Sequence, residues 1–382
     1  MGTKKIIFLT GTRADFGKLK PLMHKLQDDT SFEVDIFVTG MHMLSKYGST
    51  WEEVYKNGFT NIYRFVNQNQ SDSMDHVLAK TVIGLSDYVK EAKPDLLVIH
   101  GDRVEALAGA IVGALNNISV AHIEGGEVSG TVDELIRHSI SKLSHIHFTS
   151  NESAKNRLIQ LGESLENIYV IGSPDIDIMF SEKLPNIEEV KKYYDISFGK
   201  YSILLFHSVT TELDLLAEHV ENLVTEVIKS DINFIVISPN NDPGSDLIFK
   251  EYERFKGNSK IKLFPSMRFE YFLTALRNCQ FIIGNSSAGI REAPYYNIPT
   301  INLGSRQLNR SKSKSIINVR CDRADIAQSI EGVISQSNEF ANKKSGQAMD
   351  FGLGNSAELF YGILRGERIW GTSKQKYFID AI

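Results

Sequence analysis

Residues 96–124 read LLVIHGDRVEALAGAIVGALNNISVAHIE. The opening run Leu96-Leu97-Val98-Ile99 is wholly apolar, as a strand is when both faces of its sheet are covered, and ISVAHIE has the same character. Between them, Gly101-Asp102-Arg103 breaks regular structure, and Val104, Leu107, Ala108, Ile111, Val112 and Leu115 recur at helical spacing on one predicted face. Strand, helix and strand in that order imply a parallel sheet. Asp102 and Arg103 then follow the carboxyl end of one strand, and Glu124 that of the next. Open α/β sheets keep their ligands at that edge.

The alternation continues in both directions. Upstream, Lys5–Thr10 is a strand, Gly11–Gly17 a polar turn, and Leu19, Leu22, Met23 and Leu26 sit at helical spacing. Glu33–Val38 is a second strand, and Ser73–Ala92 a helix stopped before Pro94. Downstream, Gly125-Gly126 and Gly130 interrupt the chain, and DELIRHSISKL resumes as a helix with Asp133 or Glu134 in its first turn. Ile146–Thr149 and Ile168–Ile171 add strands. Ser181–Lys200 is charged and carries a proline, which marks a linker.

A second series follows, with strands at Ser202–Phe206, Asn233–Ile237, Ile261–Phe264, Phe281–Gly284 and Thr300–Leu303, and a long amphipathic helix from Leu213 to Ile228. Asp322–Ser335 is another helix, followed by a polar patch and then Leu359–Ile369. The expected fold class is α/β, two Rossmann-like doubly wound domains with the active site in a cleft between them. Residues 1–180 form the first, 181–365 the second, and 366–382 a tail crossing back to the first.

A chain of 382 residues is too long for one ordinary core, in keeping with two domains. A formal net charge of -5 argues against a nucleic-acid partner held by bulk electrostatics. Cys279 and Cys321 make neither a disulfide framework nor a metal knuckle, and no H-E-x-x-H spacing occurs, so no metal is expected. The absence of an apolar run of ~20 residues and of a signal-peptide pattern points away from a membrane and toward the cytoplasm.

Several short stretches carry chemistry. Asn285 to Glu292, NSSAGIRE, follows a predicted strand and opens a helix. Ser286, Ser287 and Gly289 are small enough for a diphosphate to approach, and N–H groups at a helix start favour an anion. Glu292, one turn in, has the two oxygens a ribose would engage, although a plainly capped helix is the other reading of this stretch. GTRADFGK (11–18) is neither the dinucleotide glycine fingerprint nor a phosphate-binding P-loop. In it Arg13 suits bidentate phosphate binding, Lys18 suits a point charge, and Ala14 lies beside Arg13. His207, ending a strand, has an imidazole that can donate to a phosphate or a leaving oxygen. Asp102, Glu124 and Asp133 form the candidate acid/base set, and Arg137 has the spacing of a helix pair with Asp133.

Together these stretches resemble the UDP-N-acetylglucosamine 2-epimerase family, specifically its hydrolysing branch of the bacterial sialic acid biosynthesis type. The resemblance is carried by GTRADFGKLKPL (11–22), VTGMHM (38–43), HGDRVEALAGA (100–110), HIEGGEVSGTVDELIRHSISKLSH (122–145), GSPDID (172–177), NSSAGIREAP (285–294) and INLGSRQLNR (301–310). It implies a GT-B-like fold, with UDP in the second domain and sugar-facing acids in the first. UDP-N-acetylglucosamine and water would give N-acetylmannosamine and UDP through a 2-acetamidoglucal, without a cofactor. Arg13, Arg103, His207, Asn240, Ser286, Ser287, Glu292 and Arg306 become nucleotide-site candidates, Asp102, Glu124 and Asp133 catalytic acids, and a homodimer or homotetramer is implied. One departure is visible: Ser208 follows His207 where the family usually has proline, which frees a φ angle and adds an N–H. The same chemistry on UDP-2,4-diacetamido-trideoxyglucose for legionaminic acid, a glycosyltransferase of this fold, and a non-catalytic nucleotide-sugar-binding protein are the alternatives.

Overall fold

The apolar runs of the first half hydrogen-bond side by side in one parallel sheet. Its strands are β1 (Lys4–Thr10), β2 (Phe32–Val38), β3 (Ile62–Arg64), β4 (Leu96–His100), β5 (Ser119–Ile123), β6 (Ile146–Thr149) and β7 (Ile168–Val170), in the order β3-β2-β1-β4-β5-β6-β7. A second parallel sheet is built from β8 (Ser202–Leu205), β9 (Phe234–Ile237), β10 (Ile261–Phe264), β11 (Ile282–Gly284), β12 (Thr300–Leu303) and β13 (Ile316–Val319), in the order β10-β9-β8-β11-β12-β13. This is a computed structural model, and it describes residues 2–69, 72–129, 132–308, 310–311, 313–335, 351–377 and 379. Gly130 and most of the polar patch before Leu359 lie outside them.

Strand order reverses between β1 and β4 in the first sheet and between β8 and β11 in the second. Connections on the two sides of such a point run to opposite faces, leaving a crevice at the strands' carboxyl ends. The loops that matter are therefore those after β1, β4, β8 and β11. The edge strands β3 and β13 escape sequence reading because their residues are only half-buried or exposed, which dilutes the apolar signal.

The helix Val104–Leu115 meets its expected face only in part. Leu115 is 78% exposed, and the buried residues are Val104, Glu105, Ala106, Ala108, Gly109, Ala110, Val112 and Gly113. Small residues bring this helix close to the sheet: a Cβ on Gly109 would lie 2.6 Å from Ile99 Cγ2, and one on Gly113 2.2 Å from Val120 Cγ2. The expected face holds at Val104, Ala108 and Val112, but a pattern weighted by large apolar side chains takes in exposed Leu115 and leaves out Gly109 and Gly113, where close packing requires small residues.

Two compact units result: Met1–Val128, Asp133–Phe180 and Asp350–Ile382 form the first, Ser129–Val132 and Ser181–Met349 the second. The predicted linker is folded rather than extended. Its residues Ile187–Tyr193 form a helix with a capping box from Asn186 and Glu189, and the Pro185 carbonyl accepts from Thr274 Oγ1 at 2.8 Å. The return to the first unit also comes before residue 366. Helix Ser356–Arg365 buries Phe360 and Leu364 in the first core, with the Phe360 ring 4.8 Å from that of Phe148, and Asp177 accepts from the Ser356 and Ala357 N–H groups at 2.8 and 2.7 Å. Among the described residues, no helix is long and apolar enough to cross a membrane.

Gly284 ends β11 at φ +138°, and a Cβ there would lie 2.0 Å from the Leu205 carbonyl oxygen. Gly284→Ala is expected to destabilise the chain by more than about 3 kcal/mol, since strained φ and a backbone clash add. A lowered urea midpoint by circular dichroism would register it.

Candidate active site

The loops after β1 and β4 hold much of the first unit's chemistry. Thr12 and Asp15 form a capping box, so the helix Arg13–Gln27 starts at Arg13, inside the expected turn. Asp15 also accepts from the Gly11 N–H at 3.0 Å and from Thr10 Oγ1, and is thereby a structural acid. Arg13 Nη2 lies 3.5 Å from Glu53 Oε1, Ala14 is exposed in the first turn, and Lys18 Nζ pairs with buried Asp175 at 3.0 Å.

After β4, Arg103 Nε donates to Glu105 Oε2 at 3.4 Å, and Asp102 accepts from Arg137 Nη2. The other terminal nitrogen of Arg137 donates to the Glu124 carbonyl at 2.9 Å. Arg137 is only 3% exposed, so one buried guanidinium ties the acid after β4 to the backbone of the acid after β5. The spacing suits a helix pair with Asp133; the sheet brings Asp102 to the same guanidinium.

Glu124 is held on several sides. Its backbone is left-handed, φ 64°, a costly conformation for a residue with a Cβ, fixed by its N–H donating to Phe148 O at 2.8 Å and by Arg137. Ser173 Oγ donates to its Oε1, and His100 Nε2 lies 3.1 Å from its Oε2. Asp133 stands half-buried in the first turn of the helix Val132–Leu143, which also carries Arg137. His122 lies beneath. Its Nε2 faces the Gly101 carbonyl at 2.8 Å, so it carries the proton, and Nδ1 accepts from Ser141 Oγ at 3.1 Å. Complete burial pulls its pKa down to about 3, which keeps the ring neutral.

In the second unit, the Asn285 carboxamide grips both backbone groups of His207: Oδ1 accepts its N–H at 2.7 Å and Nδ2 donates to its carbonyl at 2.8 Å. The loop thus has an anchor that does not depend on a proline at 208. The Asn240 N–H donates to His207 Nδ1 at 3.1 Å, so a neutral ring carries its proton on Nε2. Arg306 Nη1 donates to the Asn285 carbonyl at 3.3 Å.

Helix Ala288–Tyr295 starts directly after this loop, with Ser286 and Ser287 half-buried before it and Glu292 buried within it. Ser286 already takes two of the first N–H groups, Ala288 through Oγ at 3.3 Å and Gly289 through its carbonyl at 3.2 Å. A Cβ on Gly289 would lie 2.6 Å from Thr300 Cγ2, so the smallness of this glycine serves helix–sheet packing. The structure thus groups Asp102, Arg103, Glu124, Arg13 and Lys18 with elements of the first unit, and His207, Asn240, Ser286, Ser287, Gly289, Glu292 and Arg306 with elements of the second.

A model of the UDP-N-acetylglucosamine 2-epimerase family matches residues 24–365. The chain belongs to that family. The UDP-N-acetylglucosamine 2-epimerase of Neisseria meningitidis serogroup B is 46% identical over 377 residues, 99% of each chain. The UDP-N,N'-diacetylbacillosamine 2-epimerase (hydrolyzing) of Legionella pneumophila is 32% identical over 367 residues, 95% of this chain and 96% of its own. Among solved structures, the Methanocaldococcus jannaschii UDP-GlcNAc 2-epimerase in complex with UDP-GlcNAc and UDP superposes with a TM-score of 0.79 at 24% identity, covering 94% of this chain and 99% of that one. That likeness concerns the fold, two Rossmann-like domains of GT-B-like type.

Within this epimerase family member, sequence reading passed over groups that the fold recruits. His100 and Ser173 flank the Glu124 carboxylate, Asp175 pairs with Lys18, and Asn285 fixes His207. Each lies in a stretch that carries the resemblance, HGDR, GSPDID or NSSAG. Their position in a motif was the available signal; their partners, far away in sequence, were not.

Proposed function

We propose that the chain is a hydrolysing UDP-N-acetylglucosamine 2-epimerase, converting UDP-N-acetylglucosamine and water into N-acetylmannosamine and UDP for sialic acid biosynthesis in the cytoplasm. The observation that carries this reading is the acid pair at the carboxyl ends of β4 and β5, Asp102 and Glu124, tied through Arg137 from the helix that also supplies Asp133. The 46% identity to a UDP-N-acetylglucosamine 2-epimerase favours the same sugar.

The C2 proton of the sugar is not acidic by itself. As the C1–O bond breaks, its electron pair leaves with UDP, and positive character at C1 acidifies the neighbouring C–H. A carboxylate takes that proton and the C–H electrons form the C1=C2 bond of 2-acetamidoglucal. Water then adds its oxygen to C1 while a proton returns to C2 from the opposite face. We assign the two C2 proton transfers to Asp102 and Asp133 between them, and hydration or sugar orientation to Glu124. Arg13, Lys18, Arg103, His207, Asn240, Ser286, Ser287, Glu292 and Arg306 are assigned to the nucleotide, with His207 Nε2–H donating to the departing diphosphate, the kind of electrostatic aid that is often the larger catalytic term.

Incubation with UDP-N-acetylglucosamine in deuterated water tests the scheme. The expected products are UDP and free N-acetylmannosamine carrying deuterium at C2. Formation of UDP-N-acetylmannosamine without UDP release would identify a non-hydrolysing enzyme, and product without deuterium at C2 would rule out elimination and hydration. The 32% identity to the Legionella pneumophila enzyme supports a second reading, the same chemistry on UDP-2,4-diacetamido-trideoxyglucose. Parallel incubation with that sugar, comparing kcat/KM, decides between them.

A further inference from the structure

The helix Val132–Leu143 presents Asp133 and Arg137 from its first half, and its carboxyl end is gripped by the C-terminal segment of the chain. Lys376 Nζ donates to the carbonyls of Lys142 at 2.8 Å and Ser144 at 2.6 Å, and lies 3.4 Å from that of Ser141. Carbonyls at a helix end have no partner within the helix, and a cation there complements the helix dipole. The same ammonium donates to Glu163, whose carboxylate also receives Lys142 Nζ at 3.1 Å and His147 Nε2 at 2.9 Å. A second tie runs from the Lys374 carbonyl to His145 Nε2, 3.1 Å away.

Glu163 and His147 are buried, and the Lys376 side chain is half-buried against them. Burial pulls the Lys376 ammonium below the ordinary lysine range, against the Glu163 charge that raises it. Burial would by itself raise the Glu163 carboxyl, and the bond from His147 with the charge of Lys376 overrides this and holds it down at about 2. The helix is also held in its first half by Arg137 to Asp102, and near its carboxyl end by Ser141 to His122. Arg137 lies about one turn and Asp133 about two turns before Ser141, so a shift of the carboxyl end is transmitted along a rigid rod to both.

We propose that Lys376 is a positioning residue for the epimerase reaction: by capping this helix from the C-terminal segment, it sets the placement of Asp133 and Arg137 at the sugar. The inference rests on the hydrolysing-epimerase reading. Lys376 touches neither residue and takes no part in proton transfer. Its loss should slow C2 proton transfer while leaving nucleotide binding intact, because misplacement of order 1 Å can cost about a hundredfold in rate.

The test uses the full chain, with Lys376→Met, Lys376→Arg and, should the first not fold, Lys376→Gln, assayed well below each melting temperature. Lys376→Met is expected to lower kcat about ten- to a hundredfold with KM for UDP-N-acetylglucosamine within about threefold. The isotope effect with C2-deuterated substrate should grow, and Lys376→Arg should recover most of the rate. Site-resolved amide exchange in residues 132–138 should quicken in Lys376→Met. A lower melting temperature with kcat and isotope effect unchanged would reduce Lys376 to a structural strap and overturn the proposal, as would unchanged exchange in the helix. If the unaltered chain releases no sugar from UDP-N-acetylglucosamine, the functional reading fails by itself, and the exchange measurement still decides whether Lys376 places the helix.

Discussion

Asp102→Asn is expected to lower turnover by about a thousandfold while leaving UDP affinity within a few-fold of the unaltered chain. Asparagine keeps the shape of the side chain and an oxygen for Arg137 Nη2 to donate to, but it cannot take up a proton. Acid/base groups of this kind contribute about 10²–10⁴ in rate, and the two-way transfer at C2 puts Asp102 toward the middle of that range. The substitution also removes the counter-charge of a guanidinium that is 3% exposed. Breaking a fully buried pair costs about 3–5 kcal/mol, but the Asp102 side chain is 25% exposed and Arg137 keeps its bond to the Glu124 carbonyl, so the loss should fall below that range. Calorimetric titration with UDP and a melting curve separate the effects. Turnover close to that of the unaltered chain would remove Asp102 from the proton-transfer pair. A loss of UDP binding as large as the loss of turnover would make it a ligand-holding residue.

What the sequence made legible follows from how local each signal is. The central strands announce themselves because both faces are buried: Leu96 to Ile99 are all essentially inaccessible, and so are Val120, Ala121 and Ile123. The places of Asp102 and Glu124 just after β4 and β5 are readable because strand ends and glycine breaks are written in consecutive residues. Long-range partners are not. The bond of Arg137 to Asp102, 35 residues away, exists because β4 and β5 lie side by side, and no local spacing announces it. Helix Val104–Leu115 was legible only in part for a related reason: Val104, Ala108 and Val112 are buried as expected, but the sheet also demands Gly109 and Gly113 for close approach, and hydrophobicity gives glycine little weight. The serine after His207 suggested a loosened loop from sequence, since the Asn285 carboxamide that clamps it comes from a strand end 78 residues later.

Acidification from pH 6.5 to 5 is expected to remove on the order of 4 kcal/mol of folding stability. His122 and His42 are completely buried, and burial pulls their pKa values from the ordinary 6.5 down to about 3 and about 4. The sign follows from proton counting. Below pH 6.5 the unfolded chain protonates these rings and the folded chain does not, so the unfolded state gains protons and stability falls with pH. Each group costs about 1.4 kcal/mol per pH unit until its folded pKa is approached, and two groups over 1.5 units give the figure above. Burial lowers His145 and His147 as well, which deepens the loss in the same window. Glu163, held at about 2 against an ordinary 4.5, extends it only below pH 4.5. A total stability of about 5–15 kcal/mol makes such a loss large. In the folded chain His122 protonates only near its own pKa of about 3, where it could no longer accept from Ser141 and would place a charge under the Gly101 carbonyl, next to Asp102. Urea midpoints at pH 7, 6 and 5 should descend steadily, and His122→Asn should flatten the slope by up to half. A midpoint constant across that range would mean that these rings are charged, or solvated, in the folded protein.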